Sequence, residues 1–166
     1  MHTLDSRENR LHKNLPIQNL KDAVSFEEEI LPTYERENRG SKGYAVGLDY
    51  LRAANRRCHG KWTLALLSKV EIANVTVPAH RHPAELIPDS GLSVAAAALR
   101  VPQFRDLNPE CWERISAQEN RDFSQTHICL ALENGVLKHV DGVHRLLAYV
   151  LFEKDTDVPT YVADYS

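Results

Sequence analysis

The chain has 166 residues, of which 43% are apolar and 26% are charged, and its formal net charge at pH 7 is −3. This composition is typical of one globular domain, and the acidic balance argues against wholesale attraction to nucleic acid or to an anionic membrane. No apolar run approaches the length of a membrane span, and residues 1–14 lack the apolar core of a signal peptide. The three cysteines, Cys58, Cys111 and Cys129, are scattered, so we expect reduced thiols in a cytoplasmic protein.

The first third of the chain is predicted to be mainly helical. After a loose arm over residues 1–16, apolar residues at helical spacing favour a helix over residues 19–31, which Pro32 ends. The charged stretch 35–43 contains two glycines and is expected to be a loop, although it lacks the rest of a P-loop pattern. A second helix is predicted over residues 44–57, and its inward positions are Val46, Leu48, Leu51 and Ala54.

The middle of the chain is predicted to contain one strand, a polar loop and two helices. β-branched residues favour a strand over residues 69–77, which leads into a loop with two histidines separated by one residue. That spacing resembles half of a zinc site, but no further tight group of ligands accompanies it, so a solvated polar loop is the simpler interpretation. Helices are predicted over residues 90–100, with Ser93 as a possible cap, and over residues 108–120, begun by Asn108 and Pro109.

The most informative pattern lies in the last forty residues. An apolar strand over residues 127–133, the turn Glu133-Asn134-Gly135 and a strand over residues 136–140 predict a β-hairpin that runs straight into a helix. An edge strand is expected over residues 159–163. The sequence therefore predicts an α+β protein with an N-terminal helical extension over residues 1–60 and a core over residues 61–166. The apolar stripe of the last helix consists of Val143, Leu146, Leu147, Val150 and Leu151.

The start of this last helix has the composition of an anion-binding site. Asp141 stands where an N-cap is expected, and Gly142 permits a sharp turn and the close approach of a ligand. The first turn of a helix offers unpaired N–H groups and the positive end of the helix dipole, which favour phosphate. His144 and Arg145 add a proton donor and a fixed cation. The same residues also suit a plain cap and turn, with His144 and Arg145 paired to surface acids.

The run from Asp141 to Tyr149, Asp-Gly-Val-His-Arg-Leu-Leu-Ala-Tyr, resembles the ParB/sulfiredoxin superfamily, together with the preceding hairpin and the segment 157–163. The resemblance covers about residues 126–164 and is faint over residues 69–88. In the sulfiredoxin and free serine kinase branches, a Gly-x-His-Arg turn opens a helix that holds nucleotide phosphates. A sulfiredoxin has its reactive cysteine immediately before the His-Arg pair, where this chain has Val143. The resemblance is therefore nearest to the small-molecule kinases.

The resemblance implies a phosphotransferase that uses ATP or ADP and acts on a hydroxyl of a small metabolite such as an amino acid, a sugar or a nucleoside. Mg²⁺ would bridge the phosphates, with Asp141 as its carboxylate ligand. Glu85 is the expected catalytic base, and His82 is the second candidate. The residues expected to hold the nucleotide are Asp141, Gly142, Val143, His144 and Arg145, with His80 and Arg81 facing them from the loop after the predicted strand.

Other functions remain open at the level of sequence. The main alternative is a nucleotide-binding ParB-like regulatory or DNA-binding module without catalysis, but such proteins usually carry a following helix-turn-helix domain, and this chain ends at Ser166. A ParB-like nuclease would need several metal-binding acids near the His-Arg turn, where Asp141 is nearly alone. A vestigial pocket with only a structural role is a further alternative. We expect a small-molecule substrate, no nucleic acid and no membrane, and the oligomeric state is not predicted.

Overall fold

A mixed sheet of seven strands lies at the centre of the computed structural model, which describes residues 20–78 and 91–166. The order of the strands across the sheet is β1-β2-β7-β5-β6-β3-β4. The pairs β5–β7 and β3–β6 are parallel, and the other neighbours are antiparallel. The strands are β1 (Leu20–Val24), β2 (Trp62–Leu67), β3 (Thr76–Val77), β4 (Leu92–Ser93), β5 (Ile128–Glu133), β6 (Val136–Asp141) and β7 (Val158–Asp164).

Helices cover both faces of the sheet, because the central strands have apolar side chains on both faces. On one face, Tyr34 of the helix Leu31–Asn38 and Leu51 of the helix Tyr44–Arg57 share a core with Trp62 and Tyr161. On the other face, a second core is surrounded by the helices Lys69–Ala73, Val94–Ala98, Pro109–Ser116 and Val143–Leu151. The predicted α+β class is confirmed. The helices are α1 (Leu31–Asn38), α2 (Tyr44–Arg57), α3 (Lys69–Ala73), α4 (Val94–Ala98), α5 (Val101–Phe104), α6 (Pro109–Ser116) and α7 (Val143–Leu151). A π-helical turn (Phe26–Ile30) precedes α1, and a 3-10 turn (Phe123–Gln125) lies between α6 and β5.

The N-terminal segment differs from its prediction. The helix expected over residues 19–31 is wrong in its first half, because β1 pairs antiparallel with β2 there. Pro32 does not end a helix but occupies the first turn of α1, where a missing N–H costs nothing. Residues 35–38, expected in a loop, therefore continue α1. The helix over residues 44–57 is confirmed, although Val46 is 53% exposed rather than inward.

The strand predicted over residues 69–77 is also wrong over most of its length. Ser68 and Glu71 form a capping box, in which each side chain pairs with the other residue's backbone N–H, and this starts α3. Only Thr76–Val77 remains as a strand, while the strand β2 was not predicted. The helix expected over residues 90–100 is shortened to α4, and the cap by Ser93 is confirmed.

The C-terminal hairpin and helix are confirmed. Asn134 and Gly135 both have positive φ angles of 53° and 78°, as a tight two-residue hairpin turn requires. Leu146 and Leu147 of α7 are fully buried. The last strand is not an edge strand, because β7 lies between β2 and β5. The chain returns through α7 to a position parallel to β5, as crossover connections do.

Two further observations concern the cysteines and the helices of the described residues. Cys58, Cys111 and Cys129 are buried and form no disulfide. None of the helices in residues 20–78 and 91–166 combines the length and apolar character needed to cross a bilayer.

Candidate functional site

The start of α7 opens on a cleft of about 270 Å³. Its walls come from the end of α1 with the following loop, from α6, and from the turn between β6 and α7. This volume is close to the lower end of small-molecule sites, which is about 300 Å³. The cleft therefore suits the phosphate-bearing part of a ligand better than an entire nucleotide.

The backbone at the start of α7 is arranged for an anion. Gly142 is the N-cap residue, with φ 97° and ψ 32°, a left-handed conformation that a side chain would strain. Gly142 has no side chain that could cap the helix, and the first intrahelical bond runs from Leu146 N to Gly142 O at 2.9 Å. The amides of the first turn thus have no acceptor within the helix, and they carry the positive end of its dipole.

The expected N-cap role of Asp141 is wrong. A β-bulge sets Val140 and Asp141 of β6 against the single residue Cys129 of β5, because Leu130 pairs with His139. Such an extra residue re-aims the side chains that follow it. The Asp141 carboxylate accepts a hydrogen bond from the N–H of Gly142 and faces α2, so it does not reach back to the helix amides.

Asp141 and Tyr34 approach the backbone of α2 at Gly47. A Cβ atom at Gly47 would lie 2.7 Å from Asp141 Oδ1 and 2.1 Å from the Tyr34 hydroxyl oxygen. The Tyr34 hydroxyl donates to the carbonyl of Tyr44 at 2.9 Å. Burial raises the pKa of Asp141, while the Arg145 guanidinium and the Gly142 N–H oppose the rise. Binding of a proton or of a cation to the Asp141 carboxylate is therefore favoured in this part of the cleft.

Arg145 makes two hydrogen bonds within the protein. Its guanidinium donates to the side-chain oxygen of Asn38 and to the carbonyl of His127 at 3.4 Å. Asn38 is buried, and its amide donates to Tyr34 O at 2.9 Å. Beside it, Glu37 accepts a hydrogen bond from His127 N at 2.8 Å and contacts His127 Nδ1 at 2.7 Å. Arg145 thus joins α7 to α1 and β5, although it also lines the cleft.

His144 lies between the cleft and α6. Its Nε2 is 3.5 Å from Sγ of Cys111, whose side chain is buried in the core beneath α6. Burial raises the pKa of the Cys111 thiol. The thiol therefore keeps its proton at neutral pH.

Sequence reasoning missed two charged parts of the wall. Lys42, in the loop before α2, lines the cleft with an exposed side chain. Helix α6 adds Glu110, Glu113 and Arg114, and Arg114 is 3.6 Å from Glu110. Their i, i+3, i+4 spacing puts all three on one face of α6, which is the available sequence signal. Nothing in the sequence indicates that this face meets the start of α7.

Two further predictions concern the loop residues expected to face the helix start and the ligands of the metal ion. His80, Arg81, His82 and Glu85 lie outside the described residues. Within residues 20–78 and 91–166, no group of three or more His, Cys, Asp and Glu side chains is arranged for a metal ion. Mg²⁺ in phosphate sites usually takes one or two carboxylates, and phosphate or water oxygens complete its shell. Asp141 fits that pattern as one carboxylate.

Comparison with known proteins places the chain in a family without assigning an activity. A family model described as "Family of unknown function (DUF6309)" matches residues 23–165, so the chain belongs to that family. No curated protein and no solved structure matches the chain.

We expect Gly47→Ala to destabilise the protein by about 1–3 kcal/mol, because the new methyl group would collide with Tyr34 and Asp141. Helix propensity alone predicts the opposite sign, since alanine is favoured over glycine inside a helix by about 1 kcal/mol. Urea unfolding of both proteins gives the difference. Gly43→Ala is the control, because a Cβ atom there meets nothing within 4 Å. An unchanged or increased stability of Gly47→Ala would contradict the close packing.

The raised pKa of Asp141 predicts a pH-dependent difference between wild type and Asp141→Asn. The folded state holds this proton more tightly than the unfolded state, so the contribution of Asp141 to stability is greatest below about pH 3.9. It is lost as the pH rises through the folded pKa. The stability of wild type minus that of Asp141→Asn should therefore fall with rising pH in urea titrations.

Glu133→Gln provides a control of opposite sign for this titration. The hydrogen bond from Lys138, aided by Arg57, lowers the pKa of Glu133, so its contribution is present above its unfolded pKa and is lost in acid. A flat difference for Asp141→Asn, with the expected trend for Glu133→Gln, would contradict a poorly hydrated carboxylate at position 141.

Proposed function

We propose that this protein is a phosphotransferase that binds the phosphates of ATP or ADP at the start of α7 and transfers a phosphoryl group to a hydroxyl of a small metabolite. The main support is the first turn of α7, which begins at a glycine N-cap and lines the cleft. Amides at a helix start favour phosphate oxygens, since they are fixed in place and carry partial positive charge. The resemblance of the segment 141–149 to small-molecule kinases gives the reaction type.

The side chains around the cleft support a phosphate ligand. Lys42 and Arg114 bring positive charge from two further walls, and Arg145 adds a third cation beside the helix start. The carboxylates of Glu110, Glu113 and Asp141 balance these charges. Because the cleft is nearly neutral overall, a polyphosphate would require an accompanying cation to reduce its own charge.

Mg²⁺ is the proposed cation, and it would neutralise the charge that develops on the phosphates. Asp141 is the residue that would hold it, directly or through water. Its poorly hydrated carboxylate gains more from a neighbouring cation than an exposed one would. Arg145, fixed by Asn38, would keep the phosphates in line with the first turn of the helix.

The acceptor hydroxyl needs a base within hydrogen-bond reach. Glu85 is the proposed base, and His82 is the second candidate. Both belong to the segment between Val77 and Gly91. β3 ends at Val77 and pairs in parallel with β6, so Val77 lies beside the strand that leads to Gly142. This position is the support for an acceptor site beside the phosphates.

We predict that inorganic pyrophosphate stabilises the protein against heat and urea. At about ten times its dissociation constant the gain is about 1.4 kcal/mol. Lys42→Ala and Arg114→Ala should each weaken the binding about fivefold by removing one cation near the anion. These variants are preferable to Arg145→Ala, which would also break the contacts to Asn38 and His127.

Arg52→Ala is the matched control for these titrations, because Arg52 is an exposed cation on α2 and does not line the cleft. Equal weakening in all three variants would indicate general charge attraction. If pyrophosphate, ATP and ADP all fail to stabilise the wild type, the proposed function is contradicted.

We predict that the wild type releases ADP from ATP, or AMP from ADP, only when a hydroxyl metabolite is added. Glu85→Gln should retain nucleotide binding and lose at least about 100-fold in turnover, because it removes the base. Glu28→Gln, an exposed acid that does not line the cleft, should have full activity. Nucleotide binding without turnover on any pool of metabolites would favour the regulatory alternative.

A further inference from the structure

We propose that the exposed side of α2 next to the cleft binds the adenine of the nucleotide, with Tyr50 as the ring on which the base stacks. This inference rests on the proposed function. It starts from the size of the cleft, which at about 270 Å³ accommodates phosphates but not an entire nucleotide. The adenosine part of ATP or ADP must therefore lie outside the cleft, on a surface that continues from it.

Helix α2 supplies such a surface. Gly43, directly before α2, lines the cleft, and Val46 and Tyr50 follow it at i+3 and i+7. Residues with this spacing lie on one side of a helix. The rise of a helix separates Tyr50 from Gly43 by about 10 Å along the axis. Because helical side chains lean toward the N-terminal end of their helix, the Tyr50 ring covers the preceding turn, on the side of the cleft.

Val46 and Tyr50 both present apolar surface to solvent, since Val46 is 53% exposed and Tyr50 is 51% exposed. Removal of this surface from water by a bound base favours binding. An aromatic ring stacks on any nucleobase, because every base has a π-face. Val46 is one turn closer to the cleft, so it lies where the ribose would join the base to the phosphates.

Two other aromatic residues near the cleft are less suited to hold the base. Tyr34 lines the cleft, but it is only 6% exposed, and its ring stacks on Tyr44. Trp112 belongs to α6, where it packs partly against the core, and the guanidinium carbon of Arg105 lies 5.7 Å from the centroid of its ring. Tyr50 therefore offers the more accessible ring.

The test compares ADP with pyrophosphate, which have the same number of phosphates and differ by the adenosine. Wild type should bind ADP about tenfold more tightly than pyrophosphate, as one stacked base contributes. Tyr50→Ala should lose this preference and keep the wild-type affinity for pyrophosphate. Tyr50→Phe retains the ring, so it should keep the preference. Leu99→Ala, which removes an exposed apolar side chain that does not line the cleft, should behave like wild type.

The backbone amide resonances of Val46 and Tyr50 should shift with ADP and not with pyrophosphate. Wild type that binds both ligands equally, or an ADP preference that persists in Tyr50→Ala, would overturn the adenine site and leave the phosphate site standing. Self-association that depends on Tyr50, without an ADP preference, would also overturn it and would assign this side of α2 to a second copy of the chain. Tyr50-dependent binding of ADP without binding of pyrophosphate would support the adenine site and contradict the proposed phosphate site instead.

Discussion

The turn from β6 into α7 is the constraint on which the candidate site depends. The bulge at Val140 turns Asp141 toward α2, and the left-handed Gly142 then starts a helix in the space of one residue. If the strand ran without a bulge, Asp141 would face the opposite side of the sheet, because side chains alternate. If a side chain capped the helix, its first amides would be used within the protein. The two features together bring the first amides of α7 and a poorly hydrated carboxylate to the same cleft.

The N-terminal helices are part of this site. Asn38 receives Arg145, Glu37 receives the backbone and ring of His127, and Gly47 allows α2 to approach Asp141. These contacts are polar and partly buried, so removing one partner leaves the other poorly satisfied. The cleft should therefore keep its shape only while α1 and α2 remain docked on the sheet. The loop with Lys42 joins these two helices and forms part of the cleft wall.

Sequence analysis was most accurate where a local pattern decides the structure. The hairpin turn at Asn134 and Gly135 and the apolar stripe of α7 both follow from residues close together in the chain. The cleft lies at the start of that helix. Sequence analysis failed where local patterns favour more than one structure. Val70 and its β-branched neighbours suggested a strand, but the capping box of Ser68 and Glu71 starts a helix there. The role of Asp141 was wrong because a bulge leaves no signal in the sequence of one strand. The contributions of Lys42 and Arg114 depend on tertiary packing, which no periodicity reports.

The most direct test of the phosphate site is a titration of the labelled protein with pyrophosphate, followed through its backbone amide resonances. The largest shifts are expected at residues 142–145, with smaller shifts near Lys42 and Arg114, and they should saturate with one dissociation constant. Saturable shifts confined to another surface, or no shift at residues 142–145, would contradict phosphate binding at the start of α7.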